Sequence, residues 1–430
     1  MELKVNGPAE KLEGNIKLPG DKSISHRGML LAAMGYGPSR LLGVLRSGVT
    51  DAMLNCLTAL GVESEYLGQD DLLILGKSWS SPSTSLYCGN SGTTMRLLLG
   101  ALAPSPVRAT IDGSPRLRQR PMGRVVTPLE LMGARINGMN GQGQPPFIVD
   151  GQELHGIQYD LPVSSAQVKS AVLLAALFAQ GETEISEPTP SRDHTERMLK
   201  NLGISIIRSN GSIRLIPHRG RLPNFTMDVP GDVSSGAFPI VAATLVPDSE
   251  VTLSGVGINP TRSGLLEILD AMGADIRREN QRQSCGEPIA DLVIRSAALN
   301  PVEIEADKVA SMVDELPIFA IAATQAHGIS KVSGAEELRF KESDRILEIT
   351  RGLREMGARI EPQADGFIIE GPTRLHGAVL DPNGDHRIAM AFAVAGLIAE
   401  GETTLRNADC IAESYPDFAS DLIKLGAEIQ

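Results

Sequence analysis

Four short segments of this 430-residue chain set cations among small polar residues. They are Asp21-Lys22-Ser23-Ile24-Ser25-His26-Arg27, Gly89-Asn90-Ser91-Gly92-Thr93-Thr94-Met95-Arg96, Val163-Ser164-Ser165-Ala166-Gln167-Val168-Lys169 and Asp385-His386-Arg387. Taken singly, Ser, Thr and Asp in such places are ordinary helix N-caps. Capping does not account for Lys22, Arg27, Arg96 and Arg387, because a cation in the first turn opposes the helix dipole at a cost of roughly a few tenths of a kcal/mol. A bound anion offsets that cost, since unpaired N–H groups and the dipole both attract negative charge. Arginine matches phosphate and carboxylate through paired hydrogen bonds. The chemistry implied is local capture of small phosphorylated or carboxylated molecules.

Further cations lie between these segments. The loop Asp112–Met122 holds Arg116, Arg118 and Arg120, and Ser191-Arg192-Asp193-His194-Thr195 sets another Arg at a helix start. In Arg339-Phe340-Lys341-Glu342-Ser343-Asp344-Arg345, Lys341 and Arg345 are four apart, the spacing of neighbours on one helical face. Glu342 and Asp344 read equally well as their salt-bridge partners. Val313-Asp314-Glu315 reverses the pattern, with paired carboxylates at a helix start. Asp314 and Glu342 are therefore the candidates for proton transfer in a cationic setting.

Elements that would position these groups emerge from an internal repeat. Six segments place an apolar helix end and a Gly before a short strand: Leu57–Gly61, Leu129–Gly133, Leu199–Gly203, Leu269–Gly273, Leu353–Gly357 and Leu422–Gly426. Successive glycines are 69 to 84 residues apart. Gly at each point suits the left-handed cap of a helix. A second series of six, 28–34, 94–103, 168–179, 236–245, 315–326 and 388–399, is apolar nearly all round and is expected to be buried. Each repeat thus carries a buried helix, a strand, an amphipathic helix, the Gly turn and further strands. Three repeats can close around their three buried helices as one domain. The expected domains are 1–20 with 231–430, and 21–230. The first strand, Glu2 to Val5, is expected to pair with the C-terminal half. If each trio of buried helices runs side by side, their N-termini share one end of the domain.

Composition narrows the partners. With 42% hydrophobic and 21% charged residues the chain reads as globular, and only 3% aromatics points to aliphatic packing. A net charge of -12 argues against a nucleic-acid partner. The longest apolar stretch, Ala171 to Ala179, falls short of the roughly 20 residues a bilayer needs. Glu2, Lys4, Glu10, Lys11 and Glu13 occupy the place of a signal peptide's apolar core, so a cytoplasmic protein is expected. Cys56, Cys88, Cys285 and Cys410 form no CxxC pair and read as buried free thiols. No dinucleotide or P-loop glycine motif and no paired His spacing occurs, so neither cofactor nor metal is expected.

The segments Gly20–Arg27, Gly89–Arg96, Arg120-Pro121-Met122, Ser164–Ser170, Asp314–Pro317, Lys341–Arg345 and Asp385–Arg387 resemble, in order along nearly the whole chain, the EPSP synthases, enolpyruvyl transferases of the shikimate pathway. The resemblance implies an α/β fold of two domains, an inside-out α/β barrel of six βαβαββ units, three per domain around buried parallel helices, with an interdomain active site. It implies a monomer that joins shikimate 3-phosphate and phosphoenolpyruvate, releasing phosphate. By likeness, Lys22 contacts both ligands. Ser23, Arg27, Ser165, Gln167, Arg192, Asp314 and Lys341 serve the shikimate. Gly92, Arg120, Gln167, Arg345 and Arg387 serve phosphoenolpyruvate. Asp314 would take the proton of the 5-hydroxyl, while Glu342 and Lys22 handle the methylene proton and the departing phosphate. Some family members carry a Lys where this chain has Glu413. Ser-Ala-Gln-Val-Lys-Ser and Arg-Asp-His-Thr-Glu resemble the subset to which some glyphosate-tolerant enzymes belong.

Three other readings share some of these features. The sister enzyme acting on UDP-N-acetylglucosamine has Asn after the first Lys and a reactive Cys in the loop; here stand Ser23 and a loop, Asp112–Met122, without Cys. A DNA-encircling clamp would line its hole with basic helices, whereas these inner helices are apolar. A regulator that had lost catalysis would not need Asp314, Glu342 and Lys22 together.

Overall fold

A computed structural model describes residues 1–430 apart from 140, 142 and 210. The chain divides into two compact units. One comprises Gly20–Val229 with Ser284–Glu287; the other comprises Met1–Pro19, Pro230–Gln283 and Pro288–Gln430. The four-residue hairpin tip Ser284–Glu287 had no signal in the sequence. Each unit has its own aliphatic core.

In the unit built on Gly20–Val229 the helices are α1 (Lys22–Met34), α2 (Gly48–Ala59), α3 (Gly92–Leu102), the single turn α4 (Pro115–Arg118), α5 (Gly123–Leu131), α6 (Ala166–Ala176) and α7 (His194–Asn201). The other unit has α8 (Val233–Leu245), α9 (Gly264–Met272), α10 (Ala306–Met312), α11 (Leu316–Gln325), α12 (Arg345–Glu355), α13 (His386–Ile398) and α14 (Phe418–Lys424). The apolar series forms α1, α3, α6, α8, α11 and α13, and every residue of α13 from His386 to Leu397 is buried. α3 packs on α1 and α6; α8, α11 and α13 pack on one another. The α3–α6 approach is close enough that a Cβ at Gly100 would stand 2.2 Å from the Ala171 carbonyl oxygen.

The repeat glycines behave as their spacing predicts. Gly61, Gly133, Gly203, Gly273, Gly357 and Gly426 all have φ between 82° and 108°, ending α2, α5, α7, α9, α12 and α14 in the left-handed region. A Cβ there would be strained.

Six four-stranded sheets accompany the six repeats among the described residues. In the third repeat Gln158–Asp160 runs parallel to Thr183–Ser186 across α6, and Ser212–Leu215 and Ile206–Ser209 add antiparallel. Two sheets exchange their parallel strand. Thr226–Asp228 pairs with Gly37–Leu42 after α1, whereas Glu13–Lys17 pairs with Glu250–Gly257 after α8. The first strand, Leu3–Gly7, completes the last sheet between Gly401–Leu405 and Glu428–Ile429, in the C-terminal half as expected. The helices thus lie inside, and the sheets do not close on one another into a barrel of strands. Each remains a separate four-stranded sheet among the described residues, because its outermost strands, such as Ile206–Ser209, have a partner on one side only.

Candidate active site

Five of the six buried helices carry a side-chain N-cap: Asp21, Ser91, Ser165, Asp232 and Asp385. α11 is preceded instead by the 3-10 turn Val313–Glu315.

In the unit of Gly20–Val229, side-chain hydrogen bonds join the helix starts. Arg27, 3% exposed, donates from Nε to Thr195 Oγ1 at 2.7 Å, from Nη2 to Ser170 Oγ at 2.7 Å and from Nη1 to the Ser23 carbonyl at 2.9 Å. Burial pushes its guanidinium down to about 10, and the charge of neighbouring Arg192 adds to the effect. Arg96 donates to Gln167 Oε1, and Gln167 Nε2 donates to Thr93 Oγ1 at 2.8 Å. A Cβ on Gly92 would lie 2.8 Å from Arg96 Nη1 and 3.3 Å from Arg120 Nη1. Gly92, Arg120 and Gln167 therefore meet around Arg96, a residue the sequence singled out only as a first-turn cation. Arg118 is committed elsewhere, with Nε 2.8 Å from Asp112 Oδ1. His26 is buried, its ring nitrogens 2.7 Å from the Lys22 carbonyl and 3.1 Å from the Val49 carbonyl. Burial lowers it to about 4, so it is neutral at pH 7 and structural.

In the other unit the cations are interleaved with acids. Arg345, 1% exposed, holds three carboxylates: Asp385 Oδ2 at 2.8 Å from Nε, Asp314 Oδ1 at 3.1 Å from Nη1 and Glu342 Oε2 at 2.7 Å from Nη2. Burial works against its charge, but Asp385, Glu342 and Asp314 more than compensate and raise it above its ordinary value. Lys341 Nζ lies 3.7 Å from Asp314. Arg387 Nη1 lies 3.3 Å from Glu315 Oε1, which also accepts from Ser234 Oγ at the start of α8. Glu413 stands 3.6 Å from His386 Nδ1.

Two expectations are revised here. Lys341 and Arg345 do not share a helical face. Asp344 accepts from the Leu347 N–H and caps α12, so that helix begins at Arg345 and Lys341 precedes it, although both side chains converge on Asp314. The site is also less cationic than its motifs suggest. Arg262, Lys341, Arg345 and Arg387 are met by Asp232, Asp314, Glu315, Glu342 and Asp385.

Arg262 was missed by the sequence reading. It is 5% exposed, with Nη1 3.4 Å from Glu315 and 3.6 Å from Asp314. Its signal was positional: it precedes α9 as Arg192 precedes α7, in the same place of successive repeats. The four cysteines are free; Cys56 and Cys88 are buried, but Cys285 and Cys410 are only partly so.

Comparison with known proteins identifies the family. The profile of the EPSP synthase (3-phosphoshikimate 1-carboxyvinyltransferase) family matches residues 7–422. A protein of Gloeobacter violaceus named 3-phosphoshikimate 1-carboxyvinyltransferase is 47% identical, with 97% of this chain and 98% of that one covered. One of the same name from Desulforamulus reducens is 46% identical over 99% of each. The crystallised EPSP synthase of Acinetobacter baumannii superposes with a TM-score of 0.90 at 41% identity, covering 100% of this chain and 99% of that one. The enolpyruvyl transferase NikO of Streptomyces tendae shares the fold, with a TM-score of 0.81 at 21% identity over 100% of this chain and 98% of that one. With the repeat, the linked helix starts and the acid-bridged arginine in place, this chain belongs to the EPSP synthase (3-phosphoshikimate 1-carboxyvinyltransferase) family.

Proposed function

We propose that the chain transfers the enolpyruvyl group of phosphoenolpyruvate to the 5-hydroxyl of shikimate 3-phosphate by addition and elimination, releasing inorganic phosphate, as a monomer of the cytoplasm. The observation that carries this reading is Asp314. Its carboxylate stays partly exposed, with 15% of its side-chain surface open, while Arg345, Lys341 and Arg262 lie within 3.7 Å. Such neighbours favour the ionised form, which a general base needs.

The residues divide as follows. Lys22, Ser23, Arg27, Ser165, Gln167, Arg192, Asp314 and Lys341 serve shikimate 3-phosphate. Lys22, Gly92, Arg120, Gln167, Arg345 and Arg387 serve phosphoenolpyruvate. Asp314 takes the proton of the attacking hydroxyl as its oxygen bonds to C2 of phosphoenolpyruvate, and C3 gains a proton to give a tetrahedral ketal. Loss of a C3 proton and cleavage of the C2–O bond to phosphate then give the enol ether. Glu342 and Lys22 handle the methylene proton and the departing phosphate, and the arginines stabilise the negative charge that shifts onto it.

The test is phosphate release from phosphoenolpyruvate, with shikimate 3-phosphate against UDP-N-acetylglucosamine as acceptor. Release only with shikimate 3-phosphate is expected. Release only with the sugar nucleotide, or with neither, overturns the reading.

A further inference from the structure

Lys169 on α6 is 0% exposed, yet it has no part in the reaction just described. Its Nζ donates to Glu187 Oε1 at 3.0 Å and to the Ser191 carbonyl at 3.1 Å, and lies 2.9 Å from Glu196 Oε1. Two of the ammonium's three N–H groups are thus taken by Glu187 and Ser191, and Glu196 adds an ion pair. Glu187 also accepts from Ser191 Oγ at 2.6 Å, and Arg208 Nη2 stands 3.3 Å from Glu187 and 3.8 Å from Glu196. Asp193, 3.7 Å from Arg208 Nη1 and 2.8 Å from Arg197 Nε, extends the cluster, so that three cations balance three carboxylates beneath the entrance to α7.

Buried ion clusters of this kind contribute little net stability, because desolvation consumes most of the attraction. What this one does is fix backbone. The Ser191 carbonyl shares a rigid peptide plane with the amide nitrogen of Arg192. Holding the carbonyl from one side and the Ser191 hydroxyl from another sets the plane from which Arg192 departs. The preceding loop is tied to the approach of α6 as well: Ser164 Oγ donates to the Thr189 carbonyl at 2.6 Å and accepts from its N–H at 2.9 Å. On the next turn, Thr195 is held by Arg27.

We propose that Lys169 is a positioning residue that aims Arg192 at the phosphate of shikimate 3-phosphate through the Ser191–Arg192 peptide. The proposal rests on the assignment of Arg192 to that substrate. Steady-state kinetics of Lys169→Met and of Lys169→Met/Glu196→Gln test it, with Arg192→Ala alongside. In the double variant Arg208 still balances Glu187, so the buried charge remains even. Both Lys169 variants are expected to raise KM for shikimate 3-phosphate about tenfold, the scale of one misaligned charged hydrogen bond, and to leave KM for phosphoenolpyruvate within about twofold. Arg192→Ala raises the same KM at least as far. If Arg192→Ala leaves that KM unchanged, the assignment of Arg192 fails. If Arg192→Ala raises it and the folded double variant does not, or both KM values rise equally, positioning by Lys169 is overturned. Failure of both Lys169 variants to fold, with Arg192→Ala folded, assigns the cluster to stability and overturns the proposal too.

Discussion

Arg345 and Asp385, forty residues apart in the chain, form a buried ion pair with Nε 2.8 Å from Oδ2. The same carboxylate accepts from the Arg387 N–H at 3.0 Å and so caps α13. One acid thus starts a core helix and orients an arginine assigned to phosphoenolpyruvate. Burial pushes its carboxyl up, but Arg345 outweighs that and holds it below the ordinary range.

Asp385→Asn keeps a capping oxygen and removes the charge. Because Glu342 and Asp314 still face Arg345, the expected loss is about 2 kcal/mol, less than the ~3–5 kcal/mol for a buried charge left wholly unpaired. A carboxyl whose pKa is depressed on folding adds stability above its unfolded pKa, and this is lost as pH falls through the folded value. Urea unfolding should therefore show the difference between wild type and variant at pH 7, narrowing as the pH drops below the carboxylate range. A difference that persists in acid would mean that lost packing, not charge, is responsible.

Asp314→Ala is expected to keep the fold and lower kcat by about 10²–10⁴-fold, the range for removal of a general base. Asp314 lies in a short turn, and Arg345 retains Asp385 and Glu342 when it is gone. Single-turnover phosphate release checks this. Near-normal turnover would remove Asp314 from the mechanism.

The helical framework was legible because it is periodic and local: the repeat glycines needed only the φ preference of Gly, and the buried helices only their lack of a polar face. The acid partners were not. Asp385 reads correctly as a cap, but nothing local says that it also meets Arg345, or that Glu315 meets Arg387. Those are tertiary pairings. The four-residue spacing of Lys341 and Arg345 fits one helical face, but Asp344 capping at Leu347 starts the helix after Lys341. Arg262 sits in Asn259-Pro260-Thr261-Arg262 with no flanking motif, visible only when successive repeats are laid in register.

His26 supplies a second pH dependence in a separate window. Its folded value is depressed from 6.5 to about 4 by burial, so the unfolded chain binds the extra proton first as the pH falls. Stability is full above pH 6.5 and declines towards pH 4 by about 3 kcal/mol, the equivalent of that shift. In His26→Gln this part of the decline should vanish, even though lost packing lowers stability at pH 8. Denaturant midpoints at half-unit pH steps decide it; an unchanged slope would show that other groups set the dependence.

Gly92→Ala should separate binding from folding. The backbone at Gly92 is ordinary first-turn helix, where Ala is the better residue, so the melting temperature should not fall. The new methyl would meet Arg96 Nη1 at 2.8 Å and Arg120 Nη1 at 3.3 Å, and those guanidinium tips must move. KM for phosphoenolpyruvate is expected to rise about tenfold, the scale of one disturbed charged hydrogen bond. KM for shikimate 3-phosphate should change less. An equal rise in both would place Gly92 outside a dedicated phosphoenolpyruvate subsite.

Arg262→Gln tests whether the overlooked arginine acts on Asp314 by charge. Its Nη1 lies 3.6 Å from Asp314 Oδ2, closer than Lys341, and Gln keeps hydrogen-bonding capacity without the charge. Removing a nearby cation makes a carboxylate easier to protonate, so on acidification Asp314 loses its base form at a higher pH. The acid limb of the kcat/KM profile should therefore move upward. Activity at pH 8 should fall by less than about tenfold, since general-base catalysis itself is retained. Arg262→Lys should restore the wild-type limb, as it restores the charge. A uniform loss of activity with an unmoved acid limb would assign Arg262 to holding Glu315 in place, with no influence on the base.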